Sequence, residues 1–294
     1  MTTTSAIRLE RLYVVGVVRN VESTLRTELL RIHNLFSKDF VAIEIFLVES
    51  DSNDNTLNIM RNLASELEGF EYVSLGNLES QIPNRIERLG FCRNRYVQYL
   101  RTKTIHKNSL VLALDLDIRN SRLDADGVQA ALDAINTWDA VFANQAGRYF
   151  DIYALRHKTW NSVNCFDYEG YLRASGLQNS RKIAIWSKMV NIPKNTREIN
   201  VQSAFGGMGL YRLDCFLTSD YTPRSKLESQ LCEHVVLHNK LIERGARLCI
   251  LPSFVNFGWS PHNLSSFLIF RIFDKWTKAT IFLPFRRAIR RTLG

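Results

Sequence analysis

The chain has 294 residues, is 46% hydrophobic and 23% charged, and carries a net charge of +9, a composition that suits one large or two small soluble α/β domains. No run reaches the roughly 18 uninterrupted apolar residues of a membrane-spanning helix, and the polar, charged stretch Met1 to Leu12 does not read as a secretory leader. Five scattered cysteines (Cys92, Cys165, Cys215, Cys232, Cys249) form no Cys-x-x-Cys pair, which argues against a disulfide framework or zinc site and for reduced thiols in the cytoplasm.

In chain order, the β-branched run Tyr13–Val18 reads as a first buried strand ending in Arg19-Asn20. Glu22-Ser23-Thr24 then opens a helix with Leu25, Leu29, Ile32 and Leu35 at helical spacing. A second strand, Ile43–Val48, stops at the polar turn Glu49–Thr56, and the helix Leu57–Leu67 follows. Within that turn Asp54 and Asn55 read as helix-capping residues. Tyr72–Leu75 gives a third strand, and Arg85–Leu100 a helix carrying Arg93.

The next strand, Val111–Ile118, holds two carboxylates in an apolar run. Alternation along a strand sends Asp115 and Asp117 to one face. Unpaired charge is too costly to bury, so both belong at the carboxyl end, where open α/β sheets bind ligands. Two converging carboxylates suit a hard cation, Mg²⁺ or Mn²⁺, which brings substrate phosphates with it.

The second half predicts a strand at Asp139–Asn144, then Tyr149-Phe150-Asp151-Ile152-Tyr153-Ala154-Leu155-Arg156. There Asp151 and Arg156 stand five apart among aromatics, a set suited to sugar hydroxyls and stacking or to a plain ion pair. Residues 157–200 have weak periodicity and read as an insertion or flexible loop. The run Gln202–Arg212 contains Gly206-Gly207-Met208-Gly209, whose glycines allow positive φ or a close backbone approach. A helix over Ser229–Arg244 includes Cys232-Glu233-His234. His234 and His238, four apart without the zincin glutamate, read as structural. A last strand Leu248–Pro252 leads to an aromatic loop ending in His262.

Strand–helix alternation with polar strand ends predicts a doubly wound, mostly parallel sheet that binds a nucleotide. No Gly-x-Gly-x-x-Gly follows the first strand and no Walker-type loop occurs, which disfavours dinucleotide oxidoreductases and P-loop NTPases.

This order of features resembles the GT-A glycosyltransferases over roughly residues 12–262. The matching elements are Arg19-Asn20, Glu49-Ser50-Asp51, Asp115-Leu116-Asp117, the glycine loop, Cys232-Glu233-His234 and His262. The Tyr149–Arg156 run with the later Ser203-Ala204-Phe205-Gly206-Gly207-Met208 is similar to capsule-associated mannosyltransferases and bacterial polysaccharide enzymes. The resemblance implies a GT-A (Rossmann-like) fold, with residues 1–263 catalytic: about 12–120 for the nucleotide and 121–263 for the acceptor. It implies a UDP- or GDP-linked sugar donor bound by Arg19, Asn20, Glu49, Asp51, Arg93, Asp115, Arg156, Gly206 and Gly207. Asp117, Asp115 and His262 would ligate Mn²⁺ or Mg²⁺, and Glu233, with Asp151, would be catalytic. The family usually has Asp after the catalytic acid, where this chain has His234. Rival readings are a sugar nucleotidyltransferase and a non-catalytic glycan-binding protein.

Residues 264–294 carry seven basic residues against one acid, a net +6, interleaved with Phe, Ile and Trp. Such a basic amphipathic helical tail predicts a peripheral contact with the anionic inner face of a membrane, not with nucleic acid. The expected acceptor is a glycan or lipid-linked molecule in cell-surface polysaccharide synthesis.

Overall fold

The computed structural model describes residues 9–106, 108–118 and 120–257; His262 and the basic tail lie outside the described residues. Eight strands flanked by helices give the expected Rossmann-like α/β class, in two compact units. The first unit comprises residues 9–118 and Gly209–Thr222, the second residues 120–208 and 223–257.

The first unit opens β1 (Leu9–Val18), α1 (Leu25–Phe36), β2 (Phe40–Glu49), α2 (Thr56–Glu66), β3 (Phe70–Ser74), α3 (Arg85–Arg101) and β4 (Leu110–Leu114). Its strands are parallel in the order β3-β2-β1-β4. Helix α1 presents the buried stripe Leu25, Leu29, Ile32 and Phe36, the spacing that an amphipathic helix needs to cover one sheet face. Asn84 starts α3 by accepting from the backbone N–H groups of Ile86 and Glu87. All five residues of β4 are buried, as the unbroken apolar run requires. That strand ends at Leu114, however, so Asp115-Leu116-Asp117 stands on the turn beyond it and not within a strand reaching Ile118. The buried Leu116 anchors this turn, and its carbonyl accepts from Thr24 Oγ1 at 2.8 Å.

The second unit contains α4 (Ala125–Ala134), β5 (Ala140–Gln145), α5 (Cys165–Ala174), α6 (Ser180–Ala184), a 3₁₀ turn at Trp186–Lys188 and β6 (Ile199–Val201). Strand β7 (Met208–Arg212) then runs into the first unit beside β4, followed by α7 (Leu213–Phe216). The chain returns to the second unit as α8 (Glu233–Glu243) and β8 (Leu248–Phe257). Strand β8 pairs parallel with β5 and antiparallel with β6.

The stretch 157–200, expected as a loop, holds two helices and a 3₁₀ turn. Its largest helix, α5, has apolar residues on its buried and its exposed sides, so it shows no stripe for a periodicity reading to detect.

Candidate functional site

In the first unit the carboxyl ends of β1, β2 and β3 surround a cleft of about 330 Å³. The loops after β1 and β2 are held together by reciprocal bonds. Asn20 donates its backbone N–H to Ser52 Oγ (3.1 Å), and Asn20 Oδ1 accepts from Asn53 N (2.8 Å). Glu22 and Asp54 accept from each other's loop in the same way, Asn55 N reaching Glu22 Oε2 and Glu22 N reaching Asp54 Oδ2. The structure therefore uses Asn20 to clamp the turn.

Glu49 and Asp51 both line the cleft, with different partners. Buried Glu49 has both oxygens engaged, Oε1 by Ser52 N at 2.8 Å and Oε2 by Ser74 Oγ. Asp51 adopts φ +62°, a left-handed conformation that suits its short polar side chain. Its Oδ1 accepts from Glu79 N at 2.8 Å, and Arg88 Nε stands 3.7 Å from Oδ2. Oδ2 is buried with no hydrogen-bond partner among the described residues. Oδ2 therefore faces the Arg88 guanidinium as an ion pair without a hydrogen bond, which holds the Asp51 side chain in the cleft wall. Arg19 stands on the rim, paired with Glu79 at 2.8 Å; both side chains are about half exposed, so the pair contributes little to stability. Ser74, Gly76 and Asn77 complete the wall. They escaped the sequence reading because the third strand has no polar cluster comparable to Glu49–Thr56.

Arg93, expected at a diphosphate, is buried behind the Asp-x-Asp turn. Its Nη2 lies 3.3 Å from Asp115 Oδ1 and its Nη1 3.3 Å from Tyr96 OH, with the guanidinium over the Tyr221 ring. A buried guanidinium needs a paired charge, and Asp115 supplies it. Asp115 is half-buried and Asp117 exposed. The pair fits a hard divalent cation in donor chemistry. No group of three metal-ligating side chains gathers among the described residues, and the expected third ligand, His262, lies outside them.

In the second unit the charges of Asp151, Arg156 and Glu233 act with one thiol, Cys232, and Asp151 also holds Gly206. Gly206 has φ +65°, and a Cβ there would stand 2.4 Å from Gln145 Nε2 and 2.6 Å from Ala143 O, so the position admits glycine alone. Its N–H donates to Asp151 Oδ2 (2.9 Å), and its carbonyl accepts from Gln145 Nε2 and Asn256 Nδ2, each at 2.9 Å. Asp151 Oδ1 accepts from Ala154 N. Asp151 thus holds the glycine loop. Gly207 follows at φ +80°. Arg156 is buried and donates to the Leu155 and Tyr153 carbonyls and to Asn164 Oδ1. The structure gives these bonds to its own loop and to the cap of α5.

Glu233 opens α8, nearly buried, and its Oε2 lies 3.5 Å from Cys232 Sγ. Burial first, then the Glu233 and Asp151 charges, push the Cys232 thiol well above its usual range, so it stays protonated between the two carboxylates. The sequence reading counted Cys232 only as a reduced thiol. Nothing in the spacing of residues 151 and 232 signals that they meet.

His234 stacks on Phe205 at 3.7 Å, and fully buried His238 shares a 2.8 Å hydrogen bond between Nδ1 and Ser203 Oγ. Burial lowers the His238 pKa from 6.5 to about 3. Its contribution to stability is complete above pH 6.5 and is lost as pH falls from 6.5 towards 3, because the unfolded chain takes up the proton first. Urea unfolding across that interval should show stability falling by up to about 1.4 kcal/mol per pH unit from this group. The slope should be flatter in His238→Gln; an unchanged slope would contradict a neutral, buried imidazole.

No protein-family model matches the chain, and no curated protein matches it. Similar solved structures include a mannosyltransferase from Pyrobaculum calidifontis in complex with GDP-Man and Mn²⁺, 16% identical over 85% of this chain and 57% of that one, with a TM-score of 0.48. TarS from S. aureus in complex with UDP-GlcNAc is 15% identical over 85% of this chain and 58% of that one, with a TM-score of 0.43. The glucosyl-3-phosphoglycerate synthase of M. tuberculosis is 15% identical over 84% of this chain and 69% of that one, with a TM-score of 0.39. The chain spans less than three-fifths of the length of the first two.

Proposed function

We propose that this chain is a metal-dependent glycosyltransferase of the GT-A type, moving a sugar from a nucleoside-diphosphate donor to a glycan or lipid-linked acceptor in cell-surface polysaccharide synthesis. The observation that carries this reading is the cleft at the parallel strand ends, lined by Arg19, Glu49 and Asp51, in the unit that also bears Asp115 and Asp117. Ligands of open α/β sheets bind at strand carboxyl ends. A base or ribose N–H or O–H would donate to Asp51. Glu49 keeps the cleft wall in shape through Ser52 and Ser74, and Arg93 orients Asp115.

Asp117 and Asp115 would hold Mn²⁺ or Mg²⁺, which would offset the negative charge growing on the leaving diphosphate. Glu233 would accept the proton of the acceptor hydroxyl as that oxygen bonds to the anomeric carbon and the bond to the diphosphate oxygen breaks. Asp151 would serve this step by fixing the buried turn at Gly206. A sugar nucleotidyltransferase is less consistent with this chain, because the turn after β1, residues 19–24, contains no glycine for a phosphate loop. The peripheral membrane location is proposed from the charge of residues 264–294; no helix among the described residues is long and apolar enough to cross a membrane.

The test is a thermal-unfolding panel of UDP- and GDP-sugars with and without Mn²⁺. A true donor at about 100 times its dissociation constant adds about 2.7 kcal/mol. Stabilisation by one nucleotide sugar only with metal is the expected result; none from any member of the panel would refute the donor reading.

A further inference from the structure

Helix α5 of the second unit is apolar in two directions. At roughly 100° per residue, the buried Cys165 and Leu172 share one side. Phe166, Gly170, Tyr171 and Ala174 fall on the opposite half, with Asp167 and Arg173 as its charged residues. Eight large hydrophobic side chains stand exposed among the described residues, and four of them, Val163, Phe166, Tyr171 and Leu177, belong to this one short segment. Tyr171 is 69% and Leu177 48% exposed. Concentration of that kind marks a contact surface, whereas scattered apolar residues do not.

The segment is held firmly in this presentation. Asn164 Oδ1 accepts from Phe166 N at the start of the helix. At its end Gly176, at φ +75°, donates to the Arg173 carbonyl while Leu177 donates to that of Leu172, the paired bonds of a Schellman motif. That motif commonly folds its last apolar side chain back on the helix; here Leu177 stands largely in solvent. Outward of Cys165 and Leu172 the helix is mixed, with Phe166 and Tyr171 standing beside Asp167 and Arg173.

The surrounding charge selects the cover. Lys158, Arg173, Arg181 and Lys182 outnumber Asp167 and Glu169 along residues 158–182. Glu169 is paired with Arg173 at 3.0 Å. Like charge opposes both the chain's own +6 tail and a second copy of this face. Exposed aromatic and aliphatic side chains in a segment with a net excess of two cations match an anionic lipid surface.

We propose that residues 163–177 form a membrane-docking platform that seats on an anionic bilayer, with Phe166 and Tyr171 at headgroup depth and Leu177 beneath it. A Tyr ring is suited to that boundary, its body apolar and its hydroxyl wet, while the Phe166 ring adds apolar area. The platform is independent of the donor reading.

The experiment uses the full chain with neutral phosphatidylcholine vesicles and with vesicles containing phosphatidylglycerol, followed by sedimentation and hydrogen exchange. On the anionic vesicles at low salt, the protein should sediment and the amides of residues 163–177 should exchange about tenfold more slowly. Tyr171→Ser with Leu177→Ser should lower partitioning by at least about tenfold, given the apolar area withdrawn from lipid. Thermal unfolding of that variant should match the parent, since both side chains are exposed. Failure to sediment, or sedimentation with unchanged exchange at 163–177, would overturn the proposal. So would slowing without lipid that grows with protein concentration, or slowing caused by a soluble oligosaccharide, because those outcomes identify a second copy or a sugar as the occupant.

Discussion

Replacing Asp117 with alanine is expected to weaken metal-dependent binding of a nucleoside diphosphate by roughly a hundredfold, about 2.7 kcal/mol, while leaving the fold intact. Asp117 is exposed on the turn after β4, so its removal opens no cavity and orphans no buried partner. Asp115 differs, because its Oδ1 faces the buried guanidinium of Arg93. Removing that carboxylate would leave a buried cation without its counter-charge, a change that costs stability on top of any loss of ligand. Calorimetry with Mn²⁺ and the diphosphate therefore discriminates most cleanly at residue 117. Undiminished metal-dependent affinity in Asp117→Ala would remove this residue from the metal site.

Glu233→Gln is expected to lower turnover by about 10²–10⁴-fold with donor affinity retained, the range a general base supplies. Glutamine preserves the shape of the side chain and an acceptor for the Cys232 thiol, which lies 3.5 Å from Oε2 in the parent. It removes the lone-pair basicity. A base in this position implies direct displacement, so the product should show inversion at the anomeric carbon. Two measurements decide the matter: single-turnover rates of the variant, and the product's anomeric configuration by NMR. Near-parental rates, or a retained configuration, would assign Glu233 to acceptor binding only. Asp151 is the instructive contrast. Its two oxygens hold Gly206 N and Ala154 N, so a loss of activity in Asp151→Asn would accompany disturbance of the glycine loop.

The sequence by itself determined the class of fold and, to within a residue, the carboxyl ends of the first three strands, whereas β4 stops at Leu114 and β8 runs on to Phe257. Val14, Val15, Leu112 and Ala113 stand in apolar runs that a sheet buries on both faces, and polar clusters such as Glu49–Thr56 stop those runs where chain must return to water. The positive-φ glycines 206 and 207 were legible for a similar reason, since local backbone geometry is written in local residues. Tertiary structure alone decided which polar groups were already satisfied. It engaged both oxygens of Glu49 by hydrogen bonds and set Asp51 Oδ2 against the Arg88 guanidinium, though the two acids look interchangeable in sequence. It turned Arg93 towards Asp115, committed Arg156 to its own loop, and set Cys232 between the charges of Glu233 and Asp151. It also returned residues 209–222 to the first unit, a crossing that no local pattern announces. Helix α5 stayed hidden because periodicity reports a difference between two faces, and Phe166 and Tyr171 outside with Cys165 and Leu172 inside leave little difference to read. Spacing along a chain fixes short-range geometry, whereas hydrogen-bond and charge pairing depend on residues dozens of positions apart meeting in space.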